Sequence, residues 1–535
     1  MAVNINELLS KHVTLDIECM DRIYLNGYIP TLQTSGQLVY YLRERGYPIP
    51  SPALFKKMTT TFKARVELFA RDNYTPIIHF KRGERKDDIA AKYLKKFDKE
   101  EGVVFIGIAQ ERAIAFKGYK KVKKGRVYFD LSRQPANVNH IYFYIKDKEF
   151  GPGFIKVCTY VPFPVKVCLN GHEWAKQQLR KEGIPFEPLD NGFRSCTDPE
   201  RLQEICDRLG PTQIREFFTR WRERLPWPLS DESIEAGYGH KLSIWQMEVS
   251  RTQVFDRPQN GRRFFEGVIR ENIDLGRPDG ISVVFDRRIT KATPGKFRTR
   301  VINQGVHPSL HFNYKRNQVK QYFKENRALR TETTINNPKD FRVNKGLDNL
   351  PYLQKIGRMT NRRLLDVERV SQDCALSQEG VERVVQPTVT EDGRRASGLR
   401  FGDKRVMCLF LTLTLFLHAA HGFTHKDLRM GMADLLDDGH TTYLSGQMTY
   451  DLRRLRLKGI IWRVPHTNSY LLTPYGMKVS MFFTKMNARV FGPGFAAMEP
   501  DDPIPRPLAR AFRDVDREIG KIIDGAMLSK RAPKT

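Results

Sequence analysis

Between residues 113 and 169 five strand-type segments follow one another: AIAFKGYKKV, RVYFDL, HIYFYIKD, GFIKVCTYV and PVKVCL. Strand N–H and C=O groups need partners on neighbouring strands, so this series commits the chain to a sheet. Ahead of it, TPIIHF (75–80) and GVVFIGIAQ (102–110) are continuous apolar runs flanking KDDIAAKYLKKFDKEE, which has helical periodicity. That β-α-β order predicts parallel pairing with a right-handed crossover. VTLDIECM reads as a short strand, and SGQLVYYLRERG and residues 51–73 as helices. Residues 1–197 are expected to form an α/β domain.

Residues 198–280 read as a helical segment: DPERLQEICDRLG with an Asp cap and a Gly stop, TQIREFFTRWRERL, HKLSIWQMEVSRTQVF and GRRFFEGVIRENIDLG. From 281 to 364, ISVVFDRRI, KFRTRVIN, SLHFNYK, QVKQYFK and ALRTETTIN predict a basic antiparallel-sheet domain. Residues 365–401 are polar and without period, the composition of a linker, and 491–535 read as a Pro-rich tail. The expected fold class is α+β and multidomain: an α/β region, a helical middle, the basic sheet and a carboxyl-terminal helical domain with a hairpin.

Ninety Lys and Arg against sixty-one Asp and Glu give a net charge of +29. A surplus of that size attracts polyanions, of which phosphate backbones are the commonest. Surface ion-pair networks would raise both signs together, which is not the pattern here. The amino terminus, MAVNINELLSKHVTLDIE, lacks a basic start followed by an apolar core, and the run 406–417 is shorter than the ~20 residues that span a bilayer. A cytoplasmic protein without membrane association is expected. Seven dispersed cysteines with no CxxC pair read as reduced thiols, and zinc is disfavoured. There is no GxxxxGK[ST] loop, and no other nucleotide-cofactor motif is found.

The most specific pattern lies in 402–490. KRVMCLFLTLTLFLHAAHG is an almost wholly apolar helix, THKDLRMGMADLL begins with a Thr cap, and SGQMTYDLRRLRLKG carries Met448, Leu452 and Leu455 at i, i+4 and i+7. Gln447, Tyr450, Arg453 and Arg454 then face outward. IIWRV, PHTNS and YLLTP complete a hairpin with a polar tip. This order resembles the winged helix-turn-helix superfamily over about 85 residues. The resemblance implies that helix 445–458 enters a DNA major groove, with Arg463, His466 and Asn468 on the wing against the backbone or minor groove. Winged helices also serve as protein-docking modules, and the alternative for Arg454 or Arg456 is a pair with Asp451 or with wing groups.

Residues 291–345 hold thirteen Lys and Arg against three acids, interleaved with aromatics. Lys315, Arg316, Lys320, Tyr322, Lys324 and Arg330 are the candidates here for gripping phosphates and stacking bases. The alternative is aromatics in a core and lysines in solvent. The pattern Lys-x-Tyr-x-Lys followed by Leu-Arg-x-Glu resembles one in rolling-circle replication proteins, but their His-x-His metal motif is missing. The chain as a whole resembles a group of long, uncharacterised bacterial proteins, a likeness that implies no activity.

Phosphodiester cleavage needs carboxylates that hold Mg²⁺. In LDIECMD, Asp16 and Glu18 share a strand face, an Asp-x-Glu arrangement resembling the first motif of ribonuclease-H-like exonucleases. Asp87 and Glu111 would join them if the parallel strands lay side by side. The sequence thus predicts a nucleic-acid-binding protein, DNA favoured and structured RNA as the alternative, in mobile-element or replication and recombination work. Whether it is an enzyme is left open. The alternative activity is a Mg²⁺-dependent nuclease or recombinase with Asp16 and Glu18 as metal ligands.

Overall fold

The structure is a computed structural model. It describes residues 5–487 except 48, 82, 124–125, 275–297, 305–306, 315, 326, 373, 401, 416–421 and 437–442, with a few isolated residues beyond. The chain divides into two units, Met1–Gln372 with His418–His421, and Asp373–Leu417 with Gly422–Thr535. No helix among the described residues is long and apolar enough to cross a membrane.

The first unit is built on one sheet of eleven strands. In chain order its first six strands are β1 (Val13–Tyr28), β2 (Ile77–His79), β3 (Gly102–Lys123), β4 (Arg126–Asp147), β5 (Gly151–Cys158) and β6 (Val165–Asn170). A separate hairpin, β7 (Phe186–Leu189) and β8 (Gly192–Cys196), comes next. The sheet resumes with β9 (Lys241–Phe255), β10 (Arg298–Gln304), β11 (His307–Tyr314), β12 (Asn317–Lys324) and β13 (Ala328–Ile335). The spatial order is β10-β11-β12-β13-β9-β1-β6-β5-β4-β3-β2. Among the described residues only the edge pair β2–β3 is parallel, joined across helix Lys86–Leu94 as the β-α-β pattern predicts.

Alternation along the strands separates two faces. One buries Ile23, Leu25, Phe143, Ile155, Val167 and Met247 in a core with Leu42, Phe55, Phe62, Ile214 and Phe217 from the helices Ser35–Glu44, Pro52–Asp72 and Pro211–Arg224. A second cluster joins Phe255, Leu310, Val319 and Leu329 of the sheet to Leu8 and Leu9, Phe264 and Phe265, and Leu364 and Leu365, from helices Ile5–His12, Pro258–Asp274 and Leu350–Gln372. Gly357 of the last helix lies so close to β9 that a Cβ there would sit 2.7 Å from the Val249 side chain.

Three expectations change. The segment 240–255, read as a helix, is the strand β9 at the middle of the sheet, paired with β1 on one side and β13 on the other. Its apolar residues miss a strict period of two because register shifts interrupt the ladder between Tyr24 and Leu25 and between Met20 and Ile23 of β1. Strands from the expected α/β domain and from the expected basic-sheet domain therefore belong to one sheet, and boundaries at 197 and 280 fall inside a single unit. Residues 365–401 are not an unstructured linker: helix Leu350–Gln372 covers their start, and helix Gln378–Val385 and the short hairpin Thr388–Val389/Arg395–Ala396 follow. ISVVFDRRI lies outside the described residues.

In the second unit, helices Lys404–Leu415, His425–Leu436, Ser445–Leu457 and Pro474–Met486 bury Phe410, Leu413, Leu428, Met432, Met448, Leu455 and Val479. The first and last are held by stacking of Phe410 on Phe483, with ring centroids 4.8 Å apart. Strands Phe423–Thr424, Ile461–Arg463 and Ser469–Leu472 form a sheet in which the last lies between the other two.

Candidate nucleic-acid interface and a carboxylate cluster

Helix Ser445–Leu457 is fixed by one buried carboxylate. Asp451 accepts from Arg405 Nε at 3.0 Å and Nη2 at 2.8 Å, from Arg454 Nη2 at 2.5 Å and from the Tyr443 hydroxyl at 2.5 Å. A buried carboxylate is tolerable only with such partners. Arg454, expected to face outward, is therefore buried, and its Nη1 also donates to the Gly398 carbonyl at 3.3 Å.

Of the other helix candidates, Gln447 is half-buried and its Oε1 accepts the Leu444 N–H at 2.8 Å, closing the helix amino terminus. Tyr450 is exposed, with its hydroxyl 2.6 Å from Ser397 Oγ. Arg453 is exposed and donates to the Arg395 carbonyl at 3.1 Å. The helix face left open is Gly446, Thr449, Tyr450, Arg453 and Arg456. Arg456 was not among the expected contacts, although its spacing of three from Arg453 could have indicated it. On the hairpin, Arg463, His466 and Asn468 are exposed; Arg463 donates to the Thr467 carbonyl at 3.0 Å and to Asn468 Oδ1 at 3.1 Å. His466 has φ 56°, the left-handed backbone of a tight tip.

The segment 377–399 braces this helix. Lys458, fully buried just past its end, donates to the carbonyls of Arg383 at 3.1 Å and Gln386 at 2.7 Å and to Thr388 Oγ1 at 2.9 Å. Burial, reinforced by the charges of Arg454 and Arg383, lowers the Lys458 ammonium to about 8.

In the first unit the expected acids do not converge. Asp16 is exposed and held by Arg251 at 2.9 and 2.7 Å and by Gln253 at 3.0 Å. Glu18 is buried and held by Nε and Nη2 of Arg362 at 2.7 and 2.6 Å. Each carboxylate is thus already matched by a two-pronged guanidinium. Asp87 is exposed at the start of helix Lys86–Leu94, and Glu111 on β3 is paired with Lys86, Lys156 and the Tyr142 hydroxyl. Burial alone would raise Glu111, but those partners hold it at about 2. Strands β6, β5 and β4 separate β1 from β3. At ~4.8 Å per strand that is roughly 19 Å, too far for a shared metal with Asp16.

The basic-sheet candidates also divide. Arg316 is exposed; Lys320 and Tyr322 are half-buried, with the Lys320 ammonium 4.3 Å from the Tyr322 ring centroid. Lys324 is half-buried, 3.6 Å from Glu325, and Lys315 lies outside the described residues. Arg330 is not at the surface at all. It is fully buried and ion-paired with Asp21 of β1, donates to the Asn191 carbonyl, and reaches His172 Nε2 at 3.0 Å.

Around Arg330 three carboxylates from adjacent strands meet: Asp21, Glu248 of β9 and Glu332 of β13, with ligand oxygens within 4.8 Å of one another. Asp21 sits where the β1 register slips against β9, and such bulges re-aim a side chain. Burial would raise the Asp21 carboxyl, but Arg330 and Asn191 hold it at about 2. Glu248 and Glu332 have weaker support: Gln246 Nε2 lies 3.2 Å from Glu248, and Arg330 Nε and the Tyr322 hydroxyl are each 3.4 Å from Glu332. Burial and the neighbouring negative charges raise Glu248 to about 7 and raise Glu332 as well. Chemically, the group is a set of hard oxygen donors for a divalent cation, or a pair of carboxyls sharing a proton.

No family model matches the chain, and neither a curated protein nor a solved structure matches it.

Proposed function

We propose that the chain binds nucleic acid, duplex DNA in the first place, through a winged helix-turn-helix in its second unit. The observation that carries this reading is the order helix, short strand, helix, helix, hairpin, with the final hairpin strand lying between the other two, beside an open helix face bearing Tyr450, Arg453 and Arg456. Helix Ser445–Leu457 would enter the major groove, with Arg463, His466 and Asn468 against the backbone. The net charge of +29 supports a polyanionic partner. Mobile-element, replication or recombination work is the setting that such a reader on a large first unit suggests.

Duplex titration of the whole protein tests it. Arg453→Ala with Arg456→Ala should weaken binding about tenfold or more near 0.1 M salt and flatten the salt dependence. Unchanged binding overturns the reader. Tighter binding of structured RNA than of duplex DNA would move the interface to the sheet carrying Lys320 and Tyr322.

A second reading is favoured by the acidic group. Asp21, Glu248 and Glu332 would hold Mg²⁺ and make the chain a metal-dependent nuclease or recombinase, in place of the dispersed Asp16, Glu18, Asp87 and Glu111. Arg330 already supplies one positive charge there, so the cation would depend on the two glutamates. Millimolar Mg²⁺ or Mn²⁺ should raise the melting temperature of the parent protein but not of Glu248→Gln. Equal shifts in both would sink the metal site.

A further inference from the structure

The brace 377–399 offers charge as well as support. Its hairpin pairs Thr388 with Ala396 and Val389 with Arg395 across a turn closed by Gly393 at φ 77°. Ala396 is buried, so alternation turns the neighbouring Arg395 outward, where it is exposed. The Arg395 carbonyl is the atom that receives Arg453 Nη1, which fixes the hairpin's second strand beside the open face of helix Ser445–Leu457. Ser397 at Tyr450 and Gly398 at Arg454 continue the seam. Leu399 N–H bonds the Val384 carbonyl at 3.0 Å, and a Cβ on Gly398 would fall 1.9 Å from the Val385 carbonyl oxygen, so the hairpin's exit is tightly seated on helix Gln378–Val385.

Charge is distributed unevenly along this hairpin. At the tip, Arg394 pairs with Asp392 at 2.9 Å, and Glu391 is exposed nearby. Arg395, in the rung next to the turn, and Arg400, beyond the hairpin, are exposed, and neither has an ion pair with a described residue; the same holds for Arg453 and Arg456 on the helix. Guanidinium groups without an ion-pair partner on a braced backbone are prepared to take phosphate oxygens with little ordering cost.

We propose that the second strand of the Thr388–Ala396 hairpin is a second backbone clamp: Arg395, beside Arg453, binds a phosphate of the same duplex. This rests on the winged-helix reading of the second unit.

The test is titration of the whole protein with a set of duplexes of different sequence, at several salt concentrations, for Arg395→Ala, Arg395→Lys and Glu391→Gln. Arg395→Ala should weaken binding several-fold and equally across sequences, and should lower the slope of log K against log salt by about one. Arg395→Lys should restore most of that slope, and Glu391→Gln should leave binding equal or slightly tighter. Melting temperatures of the variants should match the parent, because the Arg395 main-chain carbonyl is kept. If Arg395→Ala leaves the slope unchanged while Arg453→Ala with Arg456→Ala weakens binding, the second clamp is wrong and the reader stands. If none of these changes affects binding, or the parent protein does not bind duplex, both are wrong.

Discussion

Arg330 on β13 and Asp21 on β1 form an ion pair with almost no solvent exposure on either side, although 309 residues separate them. The pair spans β9, so it ties three strands at the middle of the sheet. Arg330→Met should destabilise the first unit by about 3–5 kcal/mol, since Asp21 would be left charged and buried without its partner. Arg330→Met with Asp21→Asn should recover a large part of that loss. Urea denaturation of the three proteins checks it; additive losses would mean that the two residues act independently.

Glu368 on helix Leu350–Gln372 is buried, with Gln321 Nε2 at 3.1 Å from its Oε2 and no hydrogen-bond partner for its Oε1. Burial raises its carboxyl to about 8. The folded state therefore keeps a proton that the unfolded chain releases near its ordinary value. From this group stability is greatest below about pH 4.5 and falls as pH rises towards 8, by an amount on the order of 3–5 kcal/mol. Glu368→Gln should remove that slope and leave the protein more stable at pH 8. A parallel pH–stability curve for the variant would refute the buried proton.

Lys458 has the opposite sign. Its ammonium is lowered to about 8 by burial and by Arg454 and Arg383, so the unfolded chain binds the extra proton between pH 8 and 10.5. Its contribution makes the second unit more stable as pH rises through that window, by about 3 kcal/mol at most. Lys458→Met should abolish this rise, measured by thermal melts of the whole protein across that range. It should also loosen the brace, because the carbonyls of Arg383 and Gln386 lose their donor.

Much of the helical structure was legible because 3.6-residue periodicity survives locally: Met448, Leu452 and Leu455 point into the core as their spacing predicts. The β2–helix–β3 crossover was legible for the same reason. Strand β9 was not, because its identity depends on two partner strands more than seventy residues away in opposite directions, and its register shifts blur the period of two. The carboxylate group suffered from that misreading. Asp21 stands in LDIECMD beside Asp16 and Glu18, but Glu248 lies in the segment read as a helix, and Glu332 in ALRTETTIN, expected in a separate domain. Asp16 and Glu18 had the right chemistry; the arginines that neutralise them, Arg251 and Arg362, come from distant elements that no local pattern announces.

The central position of β1 sets a schedule for synthesis. Its β6 edge can pair once residue 170 has emerged, but its other edge waits for β9, whose first residue, Lys241, follows Val13 by more than two hundred positions. At 5–20 residues per second that is roughly 10–45 s during which a sixteen-residue strand has an open edge. Over that interval the nascent chain presents a template for pairing with other chains, and protection of that edge on the ribosome becomes part of what this fold requires.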